Sequence, residues 1–168
     1  MSRYSQPRPI RADDDLALFD CGEPSLNEYL RNRAYKNDQG GASRCYVTLR
    51  DDRVVAYYAV AMTSIQQGSA PAKVRRNMPD TIPAILLSRL ATDRKEQGQG
   101  LGANLLRDAI TKAVEASRII GARCLLVHAL NNNAAAFYAH FGFTESPTDP
   151  FHLLLLMKDA EKLVNGPA

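Results

Sequence analysis

At 168 residues the chain is long enough for one domain and too short for two comfortable ones. Hydrophobic residues make up 45% and charged residues 23%, which excludes a disordered, collagen-like or low-complexity chain and allows a core that needs no disulfide or metal staple. The net charge of +3 neither demands nor excludes a polyanionic partner.

In chain order, a short strand is expected near residues 9–12. A helix follows, opened by Pro24 or Ser25, with Leu26, Leu30 and Ala34 at helical spacing and Gly40-Gly41 ending it. Residues 45–49 and 54–65, rich in Val, Tyr and Thr and joined by Arg50-Asp51-Asp52-Arg53, read as an antiparallel hairpin. Residues 66–83 carry Gly68, Pro71, Pro79 and Pro83 and read as a long loop or broken helix, a length that usually carries function. A strand over 84–92 leads into the glycine-rich segment 93–102. A long helix comes next, with Leu105, Leu106, Ala109, Ile110, Ala113 and Val114 on one apolar face and Gly121 closing it. Residues 124–129 form a further strand, Asn131-Asn132-Asn133 caps a short helix through Ala139, and 151–157 form the last strand. The order predicts a mixed α/β fold with sheet and helices sharing one core, a single domain over 1–168.

Cys21, Cys45 and Cys124 are odd in number and lack any Cys-x-x-Cys pair, so neither a disulfide framework nor a zinc site is supported, and a reducing cytoplasm fits. The N-terminal residues carry arginines, prolines and the Asp13–Asp15 triplet but no apolar signal-like stretch, and no later run is long enough to cross a bilayer. The expectation is a cytoplasmic protein with no membrane partner.

Gly98, Gly100 and Gly102 let backbone N–H groups converge at a helix start, where donors and helix dipole favour a phosphate or pyrophosphate; a plain flexible turn is the alternative. A nucleotide P-loop fails, because Ala103 and Asn104 follow Gly102 where Lys and Ser/Thr are needed. A dinucleotide site lacks its acidic residue, since 130–133 offers none.

Gln97-x-x-Gly100-x-Gly102, after Leu87-Ser88-Arg89-Leu90-Ala91-Thr92 and before an amphipathic helix, resembles the coenzyme A loop of the GNAT acetyltransferases. Asn131-x-x-Ala134-x-x-Phe137-Tyr138 followed by Phe141-Gly142-Phe143 resembles that family's second signature. The stretch from Phe19 through Asp20-Cys21-Gly22-Glu23-Pro24-Ser25 to Leu30, then Gly41-Ala42-Ser43-Arg44 and Phe143 through Ser146-Pro147-Thr148-Asp149-Pro150, is similar to the GNAT-fold toxins of toxin–antitoxin pairs. The resemblance spans nearly the whole chain. It implies a GNAT fold with a mostly antiparallel sheet splayed at the cofactor site, acetyl-CoA as co-substrate without metal, and acetylation of the amino group of aminoacyl-tRNA to block translation. It also implies a ribbon-helix-helix antitoxin whose complex with the toxin binds operator DNA, and a homodimer.

By the same resemblance, the backbone of Leu90, Ala91 and Thr92 pairs with the pantetheine arm, Gln97, Gly98, Gln99, Gly100, Leu101 and Gly102 hold the pyrophosphate, and Asn131 binds the arm by its side chain. Asn131 would equally cap a helix. Tyr138 is the expected general acid for the departing thiolate, against the plain alternative of a core tyrosine. No His or carboxylate presents itself as a base, which favours an α-amine: near pH 7.4 about a quarter of such groups are neutral, against about 0.1% of lysine side chains. Lys36, Arg44, Lys73, Arg75, Arg76 and Arg89 are the candidate tRNA contacts, with a solvated face as the alternative for 73–76. Acetylation of a protein N-terminus or small amine, or a role chiefly as co-repressor, remain rival readings.

Overall fold

The computed structural model describes residues 3–166. Its strands β1 (Arg8–Pro9), β2 (Arg44–Arg50), β3 (Arg53–Gln66), β4 (Thr81–Thr92), β5 (Cys124–His128), β6 (Thr144–Ser146) and β7 (Asp149–Leu156) form one sheet in the order β1-β2-β3-β4-β5-β7-β6. Pairs β1–β2, β2–β3, β5–β7 and β6–β7 are antiparallel, and β4–β5 is parallel. The expected mixed α/β class and mostly antiparallel sheet are what the chain adopts. The parallel register runs from Ala84↔Cys124 to Leu87↔Val127, while β4 continues to Thr92. Beyond β5 the chain turns to the other neighbour, Ala129 N donating to the Phe151 carbonyl at 2.7 Å.

The helices are α1 (Pro24–Asn32), α2 (Ala34–Gly40), α3 (Ala72–Arg75), α4 (Leu101–Ile119), α5 (Asn132–His140) and α6 (Met157–Asn165). Two compact units are distinguished: the residues up to Ala61 with Ser88–Ala109, and Met62–Leu87 with the residues from Ile110 on. In the first, Phe19, Tyr29, Leu30, Val47 and Tyr57 form a buried core, with the Tyr57 ring stacked on Tyr29 at 6.4 Å and edge-on to Phe19 at 5.7 Å. The hairpin turn puts Asp51 and Asp52 at φ of 52° and 61°, the paired left-handed turn that matches strand twist and that aspartate tolerates. In the second unit Val74, Ile82, Cys124, Leu126 and Leu154 cluster under the β4–β5–β7 ladder. Burial drives the thiols of Cys45 and Cys124 up to about 12, so both stay protonated apolar fillers.

The structure departs from the sequence expectation at the N-terminal helix, at the start of β4 and at the C-terminal end, while the segment before β4 is the broken helix that the sequence suggests. The single N-terminal helix is broken at Arg33, whose φ of −128° ends α1 and starts α2; this turns Asp38 inward, where its Oδ2 accepts the Cys45 N–H at 2.9 Å. Strand β4 begins at Thr81 and includes Pro83: near a strand start only the N–H is missing, and the Pro83 carbonyl still accepts Arg123 N at 2.9 Å. The segment before it holds a short 3-10 turn, Gln67–Ser69, and α3. Strand β6 and helix α6 were not anticipated, because the apolar run 151–157 reads as one strand while Met157 and Ala160 are already the buried positions of a helix.

Candidate functional site

In the first unit the end of β4 and the glycine loop are shaped by the loop's own side chains. Asp93 N donates to the Val55 carbonyl at 2.8 Å, and the buried Asp93 carboxylate accepts Lys95 N at 2.9 Å and Asp20 N at 3.1 Å. Gln97 Nε2 donates to the Thr92 carbonyl at 3.1 Å and the Cys21 carbonyl at 3.5 Å, so this side chain ties the loop to the strand end. Gly98 and Gly100 have φ of 82° and 81°, a left-handed conformation that an L side chain adopts at a cost of about 1–2 kcal/mol per residue. A Cβ built on either meets nothing within 4 Å, so conformation is what demands glycine and the space before the loop is open to a ligand. Gly102 lies inside the first turn of α4, next to the buried Leu101, and Asn104 N donates back to the Gly100 carbonyl at 3.1 Å. Leu105, Leu106 and Ala109 anchor the helix below.

Of the strand residues, Ala91 is buried and Leu90 and Thr92 half-buried. Arg89 sits over the Tyr29 ring, its guanidinium carbon 3.8 Å from the centroid, a cation–π contact that holds it in place. Tyr29 Oη is in turn within 3.2 Å of Ser43 Oγ and accepts from Asn37 Nδ2 at 3.3 Å. Arg44 donates to the Asp38 carbonyl and pairs with the Asp38 carboxylate at 3.7 Å, whereas Lys36 is exposed with no ion pair among the described residues.

In the second unit Asn131 caps α5, its Oδ1 accepting Ala134 N at 2.9 Å. Tyr138 is 7% exposed, its ring against Phe137 at 5.3 Å and Phe143 at 5.6 Å. Burial pushes its phenol well above the ordinary value, so the proton stays on the oxygen. Its hydroxyl bonds to no described residue, and among the described residues no side-chain oxygen is both buried and unpaired, so a covered ring ends in an O–H that is not sealed off. Lys73 pairs with Asp159 at 2.5 Å, while Arg75 and Arg76 are exposed and make no ion pair among the described residues. Sequence reasoning missed Arg123, which supports this cluster from below by donating to the Val74 and Lys73 carbonyls at 2.8 Å. It also missed the His128–His152 stack at 4.0 Å, which strand register creates and burial together with His152 makes less basic at His128. The remaining omissions are Asp20, Asp93 and Glu96; acids flanking a glycine loop that suits an anion are the available signal.

A loop of left-handed glycines at a helix head can take a phosphorylated carrier, and a phenol that keeps its proton can serve a leaving group, each a capacity that group transfer uses. The chain belongs to the GNAT acetyltransferase family, whose acetyltransferase (GNAT) domain matches residues 41–145. It is 60% identical over 164 residues to a tRNA-acetylating toxin of Mycobacterium tuberculosis, covering 98% of this chain and 99% of that one. The structure of AtaT complexed with acetyl-methionyl-tRNAfMet matches with a TM-score of 0.88 at 32% identity over 95% of this chain and 98% of that chain. A tyrosine-to-phenylalanine mutant of the AtaT toxin, bound to the C-terminus of the antitoxin AtaR and acetyl-CoA, matches with a TM-score of 0.84 at 29% identity over 99% of this chain and all of that one.

Proposed function

We propose that this protein is the toxin of a toxin–antitoxin pair, an N-acetyltransferase that moves acetyl from acetyl-CoA to the α-amino group of aminoacyl-tRNA and so blocks translation. The observation that carries the reading is the 60% identity to a tRNA-acetylating toxin, which extends over 98% of this chain rather than over the acetyltransferase signatures alone. The protein's place of action is then the cytoplasm, where aminoacyl-tRNA is used; among the described residues no helix is long and apolar enough to cross a membrane.

Acetyl-CoA supplies an activated thioester. Backbone amides of the 97–102 loop and the head of α4 take the pyrophosphate, and the β4 edge at Leu90–Thr92 pairs with the pantetheine arm. The open space before Gly98 and Gly100 fits such a group. Asn131 caps α5 with its Oδ1 and keeps its Nδ2 donors for the pantetheine arm. As the amine nitrogen bonds to the acetyl carbon and the carbon–sulfur bond breaks, Tyr138 would deliver its proton to the departing sulfur and be reprotonated by the proton that the amine loses. Arg75, Arg76 and Lys36 contact tRNA phosphates, with Lys73 joining when its pair with Asp159 opens; Arg89 and Arg44, held by Tyr29 and Asp38, present fixed donors near the acceptor end. The chain acts as one acetyltransferase domain, as a homodimer held inactive by a ribbon-helix-helix antitoxin. The test is mass spectrometry of total aminoacyl-tRNA after incubation with the protein and acetyl-CoA: a 42 Da gain on the aminoacyl group is expected, and acetylation of protein N-termini or small amines with tRNA untouched would replace this reading.

A further inference from the structure

Glu96 is the residue that the chemistry of the glycine loop does not explain. It directly precedes Gln97, and a bare carboxylate there would repel a pyrophosphate. Its side chain is 3% exposed and fully engaged: Arg50 Nη1, from the last residue of β2, lies 2.7 Å from Oε1 and 2.8 Å from Oε2. Tyr4 Oη donates to Oε1 at 2.7 Å. Tyr4 is moored in turn, because Ser5 N donates to the Leu49 carbonyl and Ser5 Oγ accepts Leu49 N, both at 2.9 Å. The Tyr4 hydroxyl and then Arg50 hold the Glu96 carboxyl below its ordinary range, against the effect of burial. On the loop side, Glu96 N donates to the Asp93 carbonyl at 2.9 Å. The entry to the loop is therefore fixed twice, by the Asp93 turn and by a clamp reaching to the hairpin and the N-terminal segment.

We infer that Glu96 is a positioning residue for acetyl-CoA, clamped by Arg50 and Tyr4 so that the N-terminal segment sets the geometry of the phosphate-binding loop. This rests on the reading of the loop as the acetyl-CoA site. The clamp neutralises the carboxylate and holds Gln97 and Gly98 where their amides can converge. A carboxylate that loses one of its partners is left buried and undercompensated, and the loop shifts to resolve it.

Tyr4→Phe removes one hydroxyl and little else. It is expected to raise the calorimetric Kd and the KM for acetyl-CoA about three- to tenfold, with kcat and the KM for the acceptor within about twofold. Glu96→Ala should raise both acetyl-CoA constants further, and Glu96→Gln, which keeps an acceptor for Tyr4, should recover part of the loss. A lowered Tm with unchanged acetyl-CoA affinity in Tyr4→Phe and Glu96→Ala would make the clamp a stability device and overturn the inference. Should Glu96→Ala fail to fold, Tyr4→Phe decides alone. A parent protein that binds no acetyl-CoA would overturn the cofactor reading along with it, so the two failures are distinguishable.

Discussion

The two units solve the problem of holding a functional group in opposite ways. In the first, charges near the glycine loop are consumed internally: Glu96 by Arg50 and Tyr4, Asp20 by Arg94 at 2.6 Å, and the Arg89 guanidinium by the Tyr29 face. In the second, the Tyr138 ring packs against Phe137 and Phe143 and its hydroxyl bonds to no described residue, while Arg75 and Arg76 are exposed without acidic partners among the described residues. Directional hydrogen bonds suit a loop, which has few apolar side chains to lock it and must keep its amides aimed. Packing suits a phenol whose proton must stay in place, because an apolar wall raises its pKa where a cation would lower it. The difference teaches that removing a charge should loosen the loop, whereas the tyrosine site should respond to shape.

The largest expected effect breaks the packed half without disturbing its packing. Tyr138→Phe keeps the ring against Phe137 and Phe143 and removes only the hydroxyl that carries the proton, so turnover should fall by about 10² to 10⁴ while Tm and acetyl-CoA affinity stay level. A phenylalanine variant that acetylates at the parent rate would reduce Tyr138 to a core residue. In the other half, Gly100→Asp places a side chain on a left-handed backbone and a carboxylate in the open space before the loop. Acetyl-CoA affinity should fall by about 10²-fold or more, with kcat at saturation less affected. Unchanged affinity by calorimetry would remove the loop from the site.

This contrast was only half legible in the sequence, and distance along the chain is the reason. Local signals carried well: all six expected face positions of α4 are buried, Asp51-Asp52 forms the hairpin turn, and Asn131 caps α5. The glycine loop and Tyr138 stand out in the sequence as candidates because each belongs to a short motif. The clamp on Glu96 was invisible, since its partners are 46 and 92 residues away and nothing in an Arg or a Tyr announces a remote carboxylate. Strand register hides His128–His152 in the same manner, 24 residues apart in number and stacked in space. Pro83 misled because a proline was weighed as a strand breaker without knowing which side of the ladder it would face.

The smallest effect sharpens the outward-facing charge of the second unit. Arg75→Ala with Arg76→Ala removes two cations that have no acidic partner to reclaim, so tRNA affinity should fall and the log–log salt slope should flatten by roughly 1.4 to 1.8 units, at about 0.7 to 0.9 per phosphate. Lys73→Ala should do less. Its pair with Asp159 is partly exposed, at 49% and 31%, and such pairs contribute at most about 1 kcal/mol, so a phosphate can compete for the ammonium but must first displace the carboxylate. Asp159→Asn releases that lysine and should steepen the slope slightly, the opposite sign to Lys73→Ala, with acetyl-CoA affinity unchanged throughout. Equal slopes for the parent and all these variants would make the cluster a solvated face and move tRNA recognition to Lys36, Arg44 and Arg89 in the first unit, where Arg44 and Arg89 are already engaged and the contrast between the units would no longer divide holding from binding.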